Sequence, residues 1–242
     1  MRVGVYVDAF NLYYGGRSLC RRSTAGWRWL DVRALSQALL PTGGRWSGAA
    51  LERVVYCTAR IDAATNASGH QDQDIYLKAL AASGSVDHIE YGKYAYRVKN
   101  APLAIKDANG RPQIASPQWP IMIQDGGNPV PSAVFMVSVA QREEKGSDVN
   151  VASHLLIDVL GGAVDAAIVI SNDSDLSLPL REARTRVPVG LINPSKNFLA
   201  GDLRGRPTDG VGGHWWRQLA ASDFQAHQLP DPVSRYSRPI DW

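Results

Sequence analysis

Apolar positions along the chain follow two rhythms. Val3-Gly4-Val5-Tyr6-Val7 and Ala166–Ile170 are continuous apolar runs, each closed by a polar residue, Asp8 and Ser171. Runs of this kind predict strands buried on both faces of a parallel sheet. Arg53–Ala59, Val86–Tyr91 and Val187–Ile192 read as further strands, the last of them the final strand. Between them lie helical spacings. Leu12–Leu19 is a short helix with Asn11 as its cap, although Gly15-Gly16 weakens it. Asp31–Leu40 starts on a capping Asp31 and stops at Pro41, and Gln71–Ala82 carries its own apolar stripe. Val149–Leu160 ends at Gly161-Gly162. Ser174–Arg184 holds Pro179, which marks a kink or the true helix start. The alternation predicts an α/β fold, three α-β-α layers around a central, mostly parallel sheet.

Residues 97–132 break this rhythm with Pro102, Pro112, Pro117, Pro120, Pro129 and Pro131. Asn109-Gly110 is a hairpin turn signal between Leu103–Lys106 and Gln113–Ala115, so an inserted β-hairpin lying over one end of the sheet is expected. Ala133–Ala140 returns as strand or extended chain, and the polar run Gln141–Asp148 leads into the next helix. The chain thus divides into a domain over 1–195, with the insertion at 97–132, and a C-terminal extension over 196–242. The extension is Gly-rich through Gly213, with a helix expected around Trp215–Ala221 and a Pro-containing tail. Its Trp215, Trp216, Phe224 and Trp242 suit a fold-back anchor or an interface in a homo-oligomer.

At 242 residues the chain can bury a full core, and its +3 net charge and pI of 8.9 permit a polyanionic partner without demanding one. No apolar run approaches the roughly 20 residues of a membrane helix. The N-terminus enters a strand pattern directly, without a signal-peptide pattern. Cys20 and Cys57 have no metal or redox spacing, which fits a reducing cytoplasm. His70, His88, His154, His214 and His227 show no ligand spacing and read as structural or exposed. Tyr91, Tyr94 and Tyr96, with Lys93, Arg97 and Lys99, have the makings of a single-strand clamp, but strand aromatics pack on neighbours more often.

The candidate chemistry is acidic. Asp8 closes the first strand, Asp148 opens a helix, and Asp173 and Asp175 follow a late strand. Each is also a natural cap or turn residue. Taken together, however, they occupy sheet ends and a helix start, where ligands of α/β sheets bind. A carboxylate cluster without histidine or cysteine suits Mg²⁺ or Mn²⁺, and three or four such groups repel one another unless a cation sits among them. Such an ion activates a water and neutralises charge on a phosphodiester.

The motifs Val3–Tyr13, Glu144–Asn150 and Ile170–Asp175 together resemble the NYN domain (LabA-like type) of the PIN-like nuclease superfamily, over about residues 1–194. The resemblance implies a sheet with the first strand beside the strand ending near Asp173, and a Mg²⁺- or Mn²⁺-dependent endoribonuclease acting on RNA. By position Asp8, Asp148, Asp173 and Asp175 match the acidic metal ligands. Asn11 matches a polar position that orients Asp8 or a phosphate oxygen. Lys145 matches the basic residue before the third acid, contacting the substrate phosphate, and Ser171 and Asn172 complete the substrate side. The insertion and the tail have no counterpart in that pattern. An RNA-binding or adaptor module without turnover and a small-molecule phosphoesterase are the competing readings.

Overall fold

A computed structural model describes residues 1–115 and 124–242; Pro117 and Pro120 of the insertion lie outside them. Two compact units are present, one formed by Met1–Tyr94 with Glu144–Trp242 and one by Ala95–Glu143.

In the first unit the elements run β1 (Arg2–Asp8), α1 (Ala9–Cys20), α2 (Val32–Ala38), β2 (Ala50–Ala59), α3 (Ala67–Ala82) and the first part of β3 (His88–Pro102). After the second unit come α4 (Ser147–Leu160), β9 (Ala166–Ile170), α5 (Ser177–Arg184), β10 (Val189–Asn193), α6 (Gly201–Arg204), β11 (Trp215–Gln218) and α7 (Ala221–Ala226). The strands lie in the order β11-β10-β9-β1-β2-β3, all parallel. This is the expected three-layer α/β architecture.

Side-chain alternation sorts the core. Val3, Val5 and Val7 pack on one face with Leu12 of α1, Val32 and Leu35 of α2, and Leu77 and Leu80 of α3. Tyr6, Val55 and Cys57 pack on the other with Val151 and Leu155 of α4 and Leu180 of α5. From β1 the chain winds one way to β2 and β3; from β9 it winds the other way to β10 and β11. The strand order therefore reverses between β1 and β9. In open α/β sheets the crevice beyond the carboxyl ends at this reversal is where ligands bind.

Several expectations need correction. Helix α1 begins at Ala9, and its cap is Asp8 rather than Asn11: the Asp8 side chain accepts the Asn11 backbone N–H. Gly15 does not weaken α1, because a Cβ there would stand 2.3 Å from the Pro194 carbonyl oxygen. The helix packs on that loop only because the position is bare. Of the two readings of Pro179, the helix start holds: it falls in the first turn of α5, where its missing N–H costs nothing. The run Gln141–Lys145 is strand, the end of β8 (Met136–Lys145). Val187–Ile192 is not the last strand and Trp215–Ala221 is not a helix: Trp215–Gln218 forms β11, paired in parallel with β10. Pairing with a ready sheet edge overrides the weak local preference of Trp-Trp-Arg-Gln. The tail folds back into the core through Phe224, Leu229 and Val233.

The second unit contains the outer part of β3 beside β8, the expected hairpin β4 (Ala104–Lys106) with β5 (Pro112–Ile114), and a short pair β6 (Gln124–Asp125) with β7 (Asn128–Pro129). Among the described residues no helix is long and apolar enough to cross a membrane.

Candidate functional site

Asp8 stands at the end of β1, beside the end of β9, at the reversal of strand order. It is 3% exposed. Its Oδ1 accepts the Asn11 backbone N–H at 3.0 Å, and its Oδ2 accepts from Asn11 Nδ2 at 2.7 Å and from Ser171 Oγ at 3.0 Å. Ser171 Oγ in turn accepts the Asp173 N–H at 3.1 Å, and Asp173 Oδ1 accepts the Asp175 N–H at 3.1 Å. One chain of hydrogen bonds thus joins Asp8, Ser171, Asp173 and Asp175 across the two strand ends. Burial pushes the Asp8 carboxyl above its usual range and the charge of Asp173 adds to this, while the bonds from Asn11 and Ser171 pull it back. No cationic side chain pairs with Asp8 among the described residues.

The other expected residues fall as follows. Asn11 does orient Asp8, and its Oδ1 also accepts the Asn172 N–H at 3.3 Å. Asn172, expected on the substrate side, lines the cleft beside α1 and also braces the backbone. Its Nδ2 donates to the Phe198 carbonyl at 3.0 Å and its Oδ1 accepts the Ala200 N–H at 2.9 Å. Lys145 is the exposed last residue of β8. Asp148 lies in the first turn of α4. Asp158, near the far end of the same helix, meets Tyr6 and Arg53 towards the strand starts. The opening turn of α4 therefore points to the edge that carries Asp8. The start of α4 is held close to β3 by Gly92, where a Cβ would stand 2.5 Å from the Lys145 carbonyl oxygen. The carboxylates share an edge but do not close into a tight cage. Among the described residues no three of Asp8, Asp148, Asp173 and Asp175 bring ligand oxygens within 4.8 Å of one another.

Two clefts flank the exposed side of α1. A polar one of about 300 Å³ is lined by Asn11, Asn172, Ser195 and Asn197, with Phe10 and Tyr14 at its rim. The other, about 340 Å³, is lined by Tyr13, Tyr14, Tyr76 and Tyr94 and by Arg17, Arg22 and Arg28. These arginines form no ion pair among the described residues, and the buried Arg28 Nε has no hydrogen-bond partner there. The aromatic–basic wall was missed in the sequence because α1, the following loop and α3 contribute to it from separate stretches. Of the expected clamp, Tyr94 packs edge-on against Phe10 and Tyr91 lies under the Arg60 guanidinium, 4.8 Å away.

Two of the histidines converge on one acid. His88 Nε2 lies 3.0 Å from Glu90 Oε2, and His154 Nε2 lies 3.1 Å from the same oxygen. The His88-x-Glu90 spacing places both side chains on one strand face, a signal that histidine and cysteine spacings alone pass over; nothing local marks the approach of His154 from α4. Parallel register sets Glu90 beside Cys57 and Cys57 beside Asp8, in one row across the sheet. Burial, and then the two neighbouring carboxylates, push the Cys57 thiol up to about 12.

No protein-family model matches the chain. A solved protein of unknown function from Vibrio parahaemolyticus RIMD 2210633 aligns over 94% of this chain and 96% of its own, with 14% identity and a TM-score of 0.44. The chain is 28% identical, over 95% of its length and 70% of the relative's, to 6-hydroxy-3-succinoylpyridine 3-monooxygenase HspA of Pseudomonas putida (strain DSM 28022 / S16), a relative named as an enzyme.

Proposed function

We propose that the protein is a metal-dependent hydrolase of RNA phosphodiester bonds, working at the edge that carries Asp8 and Asp173. One observation carries this reading. Asp8 is a buried carboxylate at the reversal of strand order, pressed by a second acid and without a cationic partner among the described residues. Burying a charge unpaired is expensive, and a divalent cation removes the expense. The donor set is all oxygen, which fits Mg²⁺ or Mn²⁺ held by one or two carboxylates, with waters and substrate oxygens completing the shell. Asp8 and Asp173 would hold the ion, with Asp175 and Asp148 reaching it through water.

Such an ion supplies an activated water and charge neutralisation at the scissile phosphate. The chain's own residues do the rest. Asn11 and Ser171 fix the Asp8 carboxylate. Phe10 and Tyr14, at the rim shared by both clefts, offer faces on which bases stack. Arg17, Arg22 and Arg28 attract the phosphates. Lys145 is proposed as a further phosphate contact.

The test is cleavage of labelled single-stranded RNA in Mn²⁺ or Mg²⁺. Asp8→Asn and Asp173→Asn are expected to lower the rate by about 100-fold or more, since even outer partners of metal ligands are worth about 10–100-fold. Cleavage by the variants at the wild-type rate sinks the proposal.

A second reading follows from the relative's name. The tyrosine- and arginine-lined cleft is large enough for one small aromatic carboxylate. Oxygen uptake with 6-hydroxy-3-succinoylpyridine and an added two-electron reductant, without cleavage of RNA, would select that reading instead.

A further inference from the structure

We infer that His88, Glu90 and His154 form a separate metal site that takes a first-row transition ion such as Zn²⁺ in preference to Mg²⁺. Two imidazole nitrogens converge on a single carboxylate oxygen, at 3.0 and 3.1 Å. All three ligand atoms lie within 4.8 Å of one another, and this is the one such histidine, cysteine or acid group among the described residues. An ion held at about 2.1 Å by each ligand sets neighbouring ligands about 3.0 Å apart in an octahedron and about 3.4 Å apart in a tetrahedron. Both nitrogen–oxygen spacings match the octahedral edge, and the two nitrogens lie within 4.8 Å of each other. The ring centroids are 5.1 Å apart and tilted by 53°, so the two imidazoles meet the oxygen from different directions rather than as a flat stack.

The mounting is rigid on both sides. His88 and Glu90 project from alternate positions of β3, and His154 comes from the middle of α4. Imidazole nitrogen with one carboxylate suits zinc, iron, nickel or copper, whereas Mg²⁺ and Ca²⁺ prefer all-oxygen sets. Three protein ligands leave positions for water or substrate. The His88 and Glu90 side chains are 42% and 38% exposed, so solvent reaches those positions. The cluster lies two strands from Asp8, about 10 Å across the sheet, so it is not the same site.

The alternative is a pair of histidine–glutamate hydrogen bonds that hold β3 to α4 and bind nothing. Titration of the full-length, chelator-treated protein with Co²⁺ separates the two. One equivalent should bind with visible ligand-field bands, be displaced by Zn²⁺, and be retained in a large excess of Mg²⁺. His154→Ala and His88→Ala should each weaken uptake by about 10–100-fold or more. Circular dichroism checks that these variants fold, and the half-exposed His88 is the safer of the two. The Asp8→Asn/Asp173→Asn double variant should keep the site, which separates this inference from the hydrolase reading. Absence of stoichiometric Co²⁺ uptake by the wild type overturns the inference, as does equal uptake by wild type and His88→Ala.

Discussion

Asp8 and Asp158 are buried to the same degree, each 3% exposed, on the same side of the sheet, yet they are treated in opposite ways. Asp158 sits in the last turn of α4, where the helix dipole disfavours an acid. The Arg53 guanidinium compensates, reaching its two oxygens at 2.8 and 3.0 Å, and the Tyr6 hydroxyl donates at 2.9 Å. That carboxylate is completed by the protein itself. Among the described residues Asp8 receives only neutral donors, and it faces Asp173. Equal burial with unequal pairing separates a carboxylate that holds the fold from one to which the proposed function assigns a cation.

The same substitution at both positions tests the contrast most strongly. Asp158→Asn strands the Arg53 charge and should cost about 3 kcal/mol of stability in urea unfolding, towards the lower end of the buried-pair range because Arg53 is 34% exposed. Asp8→Asn removes an unpaired buried charge, and in chelator should stay within about 1 kcal/mol of the wild type. Equal losses would break the comparison. A somewhat smaller effect is expected from the ion. Mn²⁺ at about 100 times its dissociation constant should stabilise the wild type by about 2.7 kcal/mol and leave Asp8→Asn unmoved through this site. This titration belongs in a His88→Ala background, so that the second cluster does not contribute. A full shift in the Asp8→Asn protein would move the ion elsewhere.

His214 sharpens the comparison with the smallest effect. It is a buried ionisable group held by neutral partners, taking the Val189 N–H at 3.0 Å on Nδ1 and meeting the Asp209 carbonyl at 2.6 Å through Nε2. Burial lowers its pKa, the Asp209 carbonyl bond opposes this, and Arg184 lowers it further. With the folded value below the unfolded one, its contribution is intact above about pH 6.5 and is lost as pH falls from there through the folded value. A melting series should show that loss in the wild type and not in His214→Asn.

The sheet was legible because β1 and β9 are buried on both faces, which writes a continuous apolar run into the sequence. Asp8, which closes the first run, and Asp173 and Asp175, which follow the second, stood out for the same reason. β11 was not, since it is a strand by virtue of the β10 edge beside it. The role of Asn172 was hidden because its partners are the Phe198 and Ala200 backbones, more than 20 residues away. His88 and Glu90 carried a strand-period signal, but nothing local marks His154 as their neighbour.

The bare edge of α1 at Gly15 acts as a spacer gauge. It sets how far the helix capped by Asp8 can settle onto the turn that follows β10, and Asn172 tethers the neighbouring loop to that same helix through Asn11. A single methyl group there would wedge the helix outward and widen the gap between the two strand ends, spoiling the mouth of the crevice without touching any residue that lines its chemistry.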